Sequence, residues 1–352
     1  MAFLSFVIPV YNAEKYLHQC LESIARQASD ETEIVLVDDG STDSSVALIT
    51  GFFGEHPHLS YQLIRRENGG SGAARNTGIA AATGDYLWFV DADDYILPDA
   101  LPRLLNLLKQ HKPDVFIANY CRLFPGGVDP QAEDLRLDPI DVPVNIDDIP
   151  GLDMCSFFTW DCAPWRTIAR RSLYADNNIR FPEHTLYEDH VGAILLMSHA
   201  ETLFFHRDPL YVYRMYATST SKAKNRRVFD FITIRSTCLD LFEDCGWTGK
   251  YRETYLSYLL PDAFLRFHVP FSLRGEFMAA LKEETLPRRL AEARTLAAGH
   301  PRLLRLASAL ETGRLTMYLF RVQAETVVGR MPWARAFFRF VRRGLRAIFH
   351  KR

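Results

Sequence analysis

Tyr86-Leu87-Trp88-Phe89-Val90-Asp91-Ala92-Asp93-Asp94 decides the fold. An apolar run ends abruptly in three carboxylates within four residues. A short apolar run bounded by turn-prone residues reads as a buried strand. Acidic side chains at the C-terminal end of a parallel strand lie where open α/β sheets bind ligands. Like charges this close repel one another, so they need a reason to coexist. A hard cation that takes oxygen ligands, Mg²⁺ or Mn²⁺, supplies one. The alternative is a solvated acidic turn that caps the next helix.

The flanking chain repeats the pattern. Apolar runs at 3–10, 33–37, 60–65 and 115–120 read as further strands. Between them, 13–26, 73–82 and 101–108 show helical periodicity, with Tyr16, Leu17, Cys20, Leu21 and Ile24 on one face of the first. Strands alternating with helices at this spacing predict an α/β fold with a doubly wound parallel sheet. In such a sheet the loops after the strands converge on one edge. Those loops carry Pro9, Tyr11 and Asn12, then Asp38-Asp39, then Gly69-Gly70-Ser71-Gly72, then Asp91, Asp93 and Asp94. Chemically, Asp39 can accept a hydrogen bond from a nucleobase N–H, and Asp91 can hold a ribose hydroxyl. Asp93 can bind a divalent cation that also grips a diphosphate. Arg75, near the start of the alanine-rich helix, can place a fixed positive charge near the same edge.

The chain has 352 residues, 48% of them hydrophobic, and a formal net charge of -2. That length allows two domains, that composition excludes wholesale disorder, and that charge predicts no nucleic-acid partner. The six cysteines form no CxxC pair, so nothing calls for a disulfide framework or a zinc site. The N-terminus has no basic stretch before its first apolar run, so no signal peptide is expected. No run of 18 apolar residues occurs, so no membrane span is expected.

The remaining chain changes texture twice. Residues 125–151 are rich in proline and aspartate, lose periodicity and read as an irregular surface excursion. Glu188-Asp189 precedes a helical pattern, where acidic residues also suit a helix N-terminus electrostatically. His184 and His190 flank that pair and read as surface or hydrogen-bonded histidines, the alternative being that they ligate a metal. The strand signals stop near Lys222, which predicts a domain over 1–222 and a helical region over 223–329. The last segment, 330–352, has no acidic residue and eight Lys or Arg. Wound as a helix it sets Arg335, Arg339, Arg342, Arg343 and Arg346 against Trp333, Phe337, Val341, Leu345 and Ile348. A basic face opposite an aromatic face suits an anionic membrane surface. The alternative is a helix docked on the protein's own helical region.

Four motifs, in order, carry a resemblance. They are Val7-Ile8-Pro9-Val10-Tyr11-Asn12, Val37-Asp38-Asp39-Gly40-Ser41-Thr42-Asp43, Asn68-Gly69-Gly70-Ser71-Gly72-Ala73-Ala74-Arg75-Asn76 and Asp91-Ala92-Asp93-Asp94. The chain resembles family 2 glycosyltransferases of the GT-A fold, closely to about residue 120 and more loosely to about 221. The resemblance implies inverting transfer of a sugar from a nucleotide diphosphate sugar, often a UDP-sugar. The acceptor would be a hydroxyl of a glycan or lipid-linked molecule in bacterial surface polysaccharide synthesis. It implies a nucleotide-sugar site of Pro9, Tyr11, Asn12, Asp39, Arg75, Asp91, Trp165 and Arg214, a Mn²⁺ or Mg²⁺ held by Asp93 with Asp91, and a catalytic Glu188-Asp189 pair with Asp189 as general base. Trp165 would floor the sugar site, or else serve as a core aromatic. Arg214, after a Tyr-x-Tyr-Arg run, would sit near the diphosphate, or else form a surface ion pair. The expected location is the inner face of the cell membrane, peripheral from the cytoplasm, with a homodimer possible.

Two other classes use similar residues. A sugar nucleotidyltransferase needs a basic, glycine-rich phosphate loop after its first strand, and this chain has no basic residue there before Lys15. A non-catalytic nucleotide-sugar or glycan-binding module would have no use for both the acidic cluster and Glu188-Asp189. Gly69-Gly70-Ser71-Gly72 lacks the G-x-G-x-x-G spacing of a dinucleotide loop.

Overall fold

The computed structural model describes residues 2–124, 127–129, 140–149, 157–158, 162–215 and, with short gaps, 225–318. The basic segment 330–352 lies outside them.

β1 (Leu4–Val10) is central, and Leu4, Phe6, Val7 and Ile8 expose no surface. A strand covered on both faces reads as a continuous apolar run, which is what its sequence shows. β2 (Thr32–Asp38), β3 (Tyr61–Arg65) and β4 (Tyr86–Phe89) join it in the parallel order β3-β2-β1-β4. Parallel neighbours need a crossover. These are α1 (Leu17–Ala25), α2 (Ser45–Glu55) and α3 (Ser71–Ala81). α1 buries Leu17, Cys20, Leu21 and Ile24, the face its periodicity predicts.

Beyond β4 the sheet is mixed rather than wholly parallel. β5 (Tyr95–Ile96) is followed by α4 (Ala100–His111) and β6 (Val115–Phe124). β7 (Gly127–Asp129) and β8 (Ile140–Asn145) come next, then β9 (Thr167–Arg170). β9 inserts antiparallel between β4 and β6, while β10 (Thr202–Arg214) runs parallel to β6. β9 is Thr167-Ile168-Ala169-Arg170, only two of them apolar, so neither the strand nor its reversal left a mark in the pattern. The strands β1, β2, β3, β4, β6 and β10 still end on one edge, and β9 begins there.

The stretch 125–151 was expected to be irregular. Instead β7 pairs with β6 and β8 with β10, both antiparallel. The alternation Ile140, Val142, Val144 is a period-two signal that a proline at 143 obscures. α5 (Arg171–Asp176) and α6 (Glu188–His199) lie on either side of the Glu188-Asp189 approach.

The chain divides into two compact units, Met1–Ala223 with Thr233–Tyr255, and Lys224–Ile232 with Leu256–Arg352. α7 (Asp230–Asp244) and α8 (Arg252–Leu259) each contribute to both. The second unit contains α9 (Arg274–Glu284), α10 (Pro287–Leu296) and α11 (Pro301–Thr312). Phe277, Met278, Leu281, Leu306 and Leu310 supply its buried apolar side chains.

Candidate active site

The loops after β1 and β2 are laced together. Asn12, at φ 49°, accepts the Thr42 N–H at 2.8 Å through its side-chain oxygen, and its own N–H donates to Ser41 Oγ at 3.1 Å. Glu14 N–H donates to Asp43, and Ser44 N–H donates to Glu14. The Asn12 carboxamide oxygen therefore braces two loops. Its neighbour Tyr11 is 54% exposed, a flat ring presented at the sheet edge. Pro9 lies within β1, where it pairs in register with Val37.

Asp39 is buried. It accepts Gly69 N–H at 3.0 Å and Gly70 N–H at 2.8 Å, with Arg66 Nε 3.4 Å away. Gly70 sits at φ 86°, in the left-handed region that a side chain would strain. The second motif thereby pins the third at the start of α3.

The acidic turn after β4 brings ligand oxygens of Asp91, Asp93 and Asp94 within 4.8 Å of one another. Asp94 is the anchor: its carboxylate accepts the Tyr211 hydroxyl at 2.8 Å and the Arg214 N–H at 2.7 Å. The same Tyr211 hydroxyl accepts Asp91 N–H at 3.1 Å. Burial, then the neighbouring Asp91 and Asp93, push the Asp94 carboxyl well above the usual carboxylate range. Asp93 is raised to about 6, first by burial and then by Asp91. That set suits a divalent ion: oxygen donors, excess negative charge and two carboxyls, Asp93 and Asp94, that are disfavoured in the ionised form.

Arg214 lies against this turn. Its Nε donates to the Asp93 carbonyl at 2.7 Å, and its guanidinium also binds Gln19 and covers the Tyr16 ring at 4.5 Å. It is a cation beside the acidic turn, not an isolated surface ion pair.

The Glu188-Asp189 pair is held by a seam along α3. Asn76 exchanges two 2.8 Å hydrogen bonds with the Phe181 backbone, and His184 N–H donates to the Gly69 carbonyl at 2.7 Å. A Cβ on Gly72 would lie 2.1 Å from the Pro182 carbonyl oxygen, so only glycine admits this approach. Ser71 Oγ donates to Glu188 at 2.5 Å. Arg75 completes the seam, donating to Glu188 at 2.6 Å and to Asp91 at 3.2 Å. His184 and Tyr187 hold positive φ at 59° and 67°, the kind of backbone strain that clusters at functional sites.

Arg75 was expected to place a fixed positive charge near the same edge. Its terminal nitrogens tie the strand-end carboxylate of Asp91 to the carboxylate of Glu188, which opens α6. Burial opposes its charge, but Asp91, Glu188 and Asp189 outweigh that and raise its pKa. Asp189, half-buried beside Glu188, is raised above the ordinary carboxylate range by burial and by Glu188, against the pull of His190 and Arg75. A carboxylate raised in this way is a stronger base.

Trp165 does not floor an open site. It is 6% exposed and lies 4.6 Å from the Tyr211 ring at an interplanar angle of 5°. Its other ring neighbours are Tyr213 and Tyr120, and its carbonyl accepts the Trp88 indole N–H. Nothing local distinguishes a core aromatic from a sugar platform. Ser71, Asn76, Gln19 and Tyr211 were not singled out from the sequence. Ser71 and Asn76 lie in a quoted motif, but their partner is more than a hundred residues away.

The family model for "Glycosyl transferase family 2" matches residues 5–141. The uncharacterized glycosyltransferase YibD of Escherichia coli is 32% identical over 222 residues, which cover 62% of this chain and 63% of YibD. The putative glycosyltransferase EpsH of Bacillus subtilis is 30% identical over 284 residues, covering 78% of this chain and 77% of EpsH. Among solved structures, Staphylococcus aureus TarS 1–349 in complex with UDP-GlcNAc matches with a TM-score of 0.73 at 20% identity, covering 94% of this chain and 93% of that one. TarS is a poly(ribitol-phosphate) beta-N-acetylglucosaminyltransferase. At that identity the match establishes the fold. The model match and the length shared with EpsH establish the family: the chain belongs to glycosyltransferase family 2.

Proposed function

We propose that this protein transfers a sugar, with inversion, from a nucleotide diphosphate sugar of the UDP class to a hydroxyl on a glycan or lipid-linked acceptor of a cell-surface polymer. The observation that carries the reading is Arg75, whose single guanidinium spans Asp91 at the strand end and Glu188 beside Asp189. That bridge supports reading Asp91 as a donor-side and Asp189 as an acceptor-side carboxylate of one site. Tyr11 and Asp39 receive the nucleobase and Asp91 the ribose. Asp93 and Asp91 hold a divalent cation, Mn²⁺ or Mg²⁺, which offsets charge on the departing diphosphate when bound. Arg214 adds fixed positive charge beside the same group. Asp189 takes the proton from the acceptor hydroxyl as its oxygen attacks the anomeric carbon. The TarS complex with UDP-GlcNAc supports the donor class.

The testing experiment is product detection from a panel of nucleotide sugars, with and without Mn²⁺ or Mg²⁺. Nucleoside diphosphate release that needs the cation and an acceptor is the expected result. Asp93→Asn should weaken UDP binding in Mn²⁺ to the level the unaltered protein shows in EDTA, about ten-fold or more, as read by calorimetry. Equal affinity with and without the ion would remove Asp93 from the role.

Peripheral attachment to an anionic inner membrane face through 330–352 belongs to the same proposal. Among the described residues no helix is long and apolar enough to cross a membrane. Flotation with anionic vesicles should weaken as salt rises, because exposed charges are screened. Deleting 331–352 should abolish it; unchanged flotation would assign that segment to the protein's own surface.

A further inference from the structure

A second cluster adjoins the base. Cys162, Asp189 and His190 bring a thiol, a carboxylate oxygen and a ring nitrogen within 4.8 Å of one another. Cys162 is buried and its Sγ is 3.6 Å from His190 Nδ1, while Asp189 and His190 are half-buried and open the first turn of α6. The same His190 Nδ1 lies 3.2 Å from the Phe158 carbonyl oxygen, to which it donates, so an ion takes this nitrogen only once that proton is lost.

The donor set is the chemical opposite of the acidic turn. Sulfur and nitrogen with one carboxylate select zinc-like ions, whereas an all-oxygen set selects Mg²⁺ or Mn²⁺. Bonds of about 2.0–2.3 Å in a tetrahedron space ligand atoms roughly 3.3–3.8 Å apart. The thiol and the imidazole already stand at that spacing, and rotation of Asp189 closes the rest. A thiolate and a carboxylate neutralise a dication, and Glu188 stays neutralised by Arg75. Three protein ligands leave a fourth position for water.

We propose that Cys162, Asp189 and His190 form a Zn²⁺ site, separate from the Mg²⁺ or Mn²⁺ site, whose occupation halts transfer by taking the carboxylate of Asp189. Binding releases the thiol proton and needs the ligating ring nitrogen unprotonated. The inhibitory half rests on the reading of Asp189 as base; the metal site does not. Hard and soft ions then act in opposite senses on neighbouring carboxylates of one cleft.

Co²⁺ is the probe, because it adopts zinc geometry and shows a charge-transfer absorption only when a thiolate binds it. With Mg²⁺ saturating, stoichiometric Co²⁺ should give that band in the full chain, and Zn²⁺ should displace it. Cys162→Ser should abolish the band, and so should His190→Gln, with thermal melts confirming that each variant is folded. Zn²⁺ should inhibit Mg²⁺-supported transfer, and Cys162→Ser should raise the inhibitory concentration about ten-fold or more. No band, or a band that survives Cys162→Ser, overturns the site. A band without inhibition overturns the inhibitory half; transfer that then survives Asp189→Asn places the fault in Asp189 as base, and transfer lost in Asp189→Asn places it in Asp189 as ligand.

Discussion

Asp189→Asn should lower kcat for sugar transfer by ~10²–10⁴-fold, the range over which a positioned general base contributes. Donor affinity should hold, because Asp189 accepts the acceptor's proton and touches neither nucleobase nor diphosphate. Its pKa is raised in the folded chain, so the folded state binds its proton more tightly than the unfolded chain does. Stability from this group is therefore present below the ordinary carboxylate pKa and falls as pH rises through the raised value. At neutral pH the ionised side chain is a liability that asparagine removes, so the melting temperature should stay level or rise. The combination separates catalysis from folding: kcat collapses while the protein is no less stable. The acid limb of the kcat profile should lie above the ordinary carboxylate range, since protonated Asp189 cannot accept the proton. A variant with kcat within a factor of three, or one that fails by unfolding, would sink the assignment.

Arg75→Met should be the most destabilising change at the site. It leaves Glu188, 6% exposed, without its cation and takes from Asp91 its partner across the cleft. Breaking a buried pair by removing one partner costs about 3–5 kcal/mol. Asp91 keeps some access to water, which favours the lower end. At about 2–4 °C per kcal/mol for a unit of this size, the melting temperature should drop by roughly 6–12 °C. Arg75→Lys should not rescue it, because one ammonium does not present the fork that spans two carboxylates. Arg75→Met with Glu188→Gln should recover part of the loss, since the uncompensated charge is gone. A melt unchanged by Arg75→Met would mean the bridge contributes nothing.

The local pattern made much of this legible. The runs at β1, β2 and β4 gave the core of the parallel half of the sheet because each is covered on both faces and carries no alternation to misread, while β3 is the largely exposed edge strand beside β2. The position of Asp91, Asp93 and Asp94 followed, because a strand that ends in carboxylates must end at a ligand-binding edge. Other roles did not follow. Trp165 looks the same in sequence whether it stacks on a sugar or on Tyr211. Asn12 gives no sign that Thr42, 30 residues on, will take its side-chain oxygen. The alternation in β8 was present but broken by Pro143.

Periodicity and turn chemistry depend on neighbours within a few residues, so the sequence by itself determined β1 to β4 and β6, the helices between them and which loops carry acid, but not β7, β8 or β9. The working partnerships join residues far apart along the chain: Arg75 to Glu188 across 113 residues, Asp94 to Tyr211 across 117, Cys162 to His190 across 28. Only the tertiary structure decided these, because strand order and the insertion of β9 set which loop ends meet. Charge pairing and packing at those meeting points then fix whether a carboxylate binds a ligand, braces a loop or takes a proton.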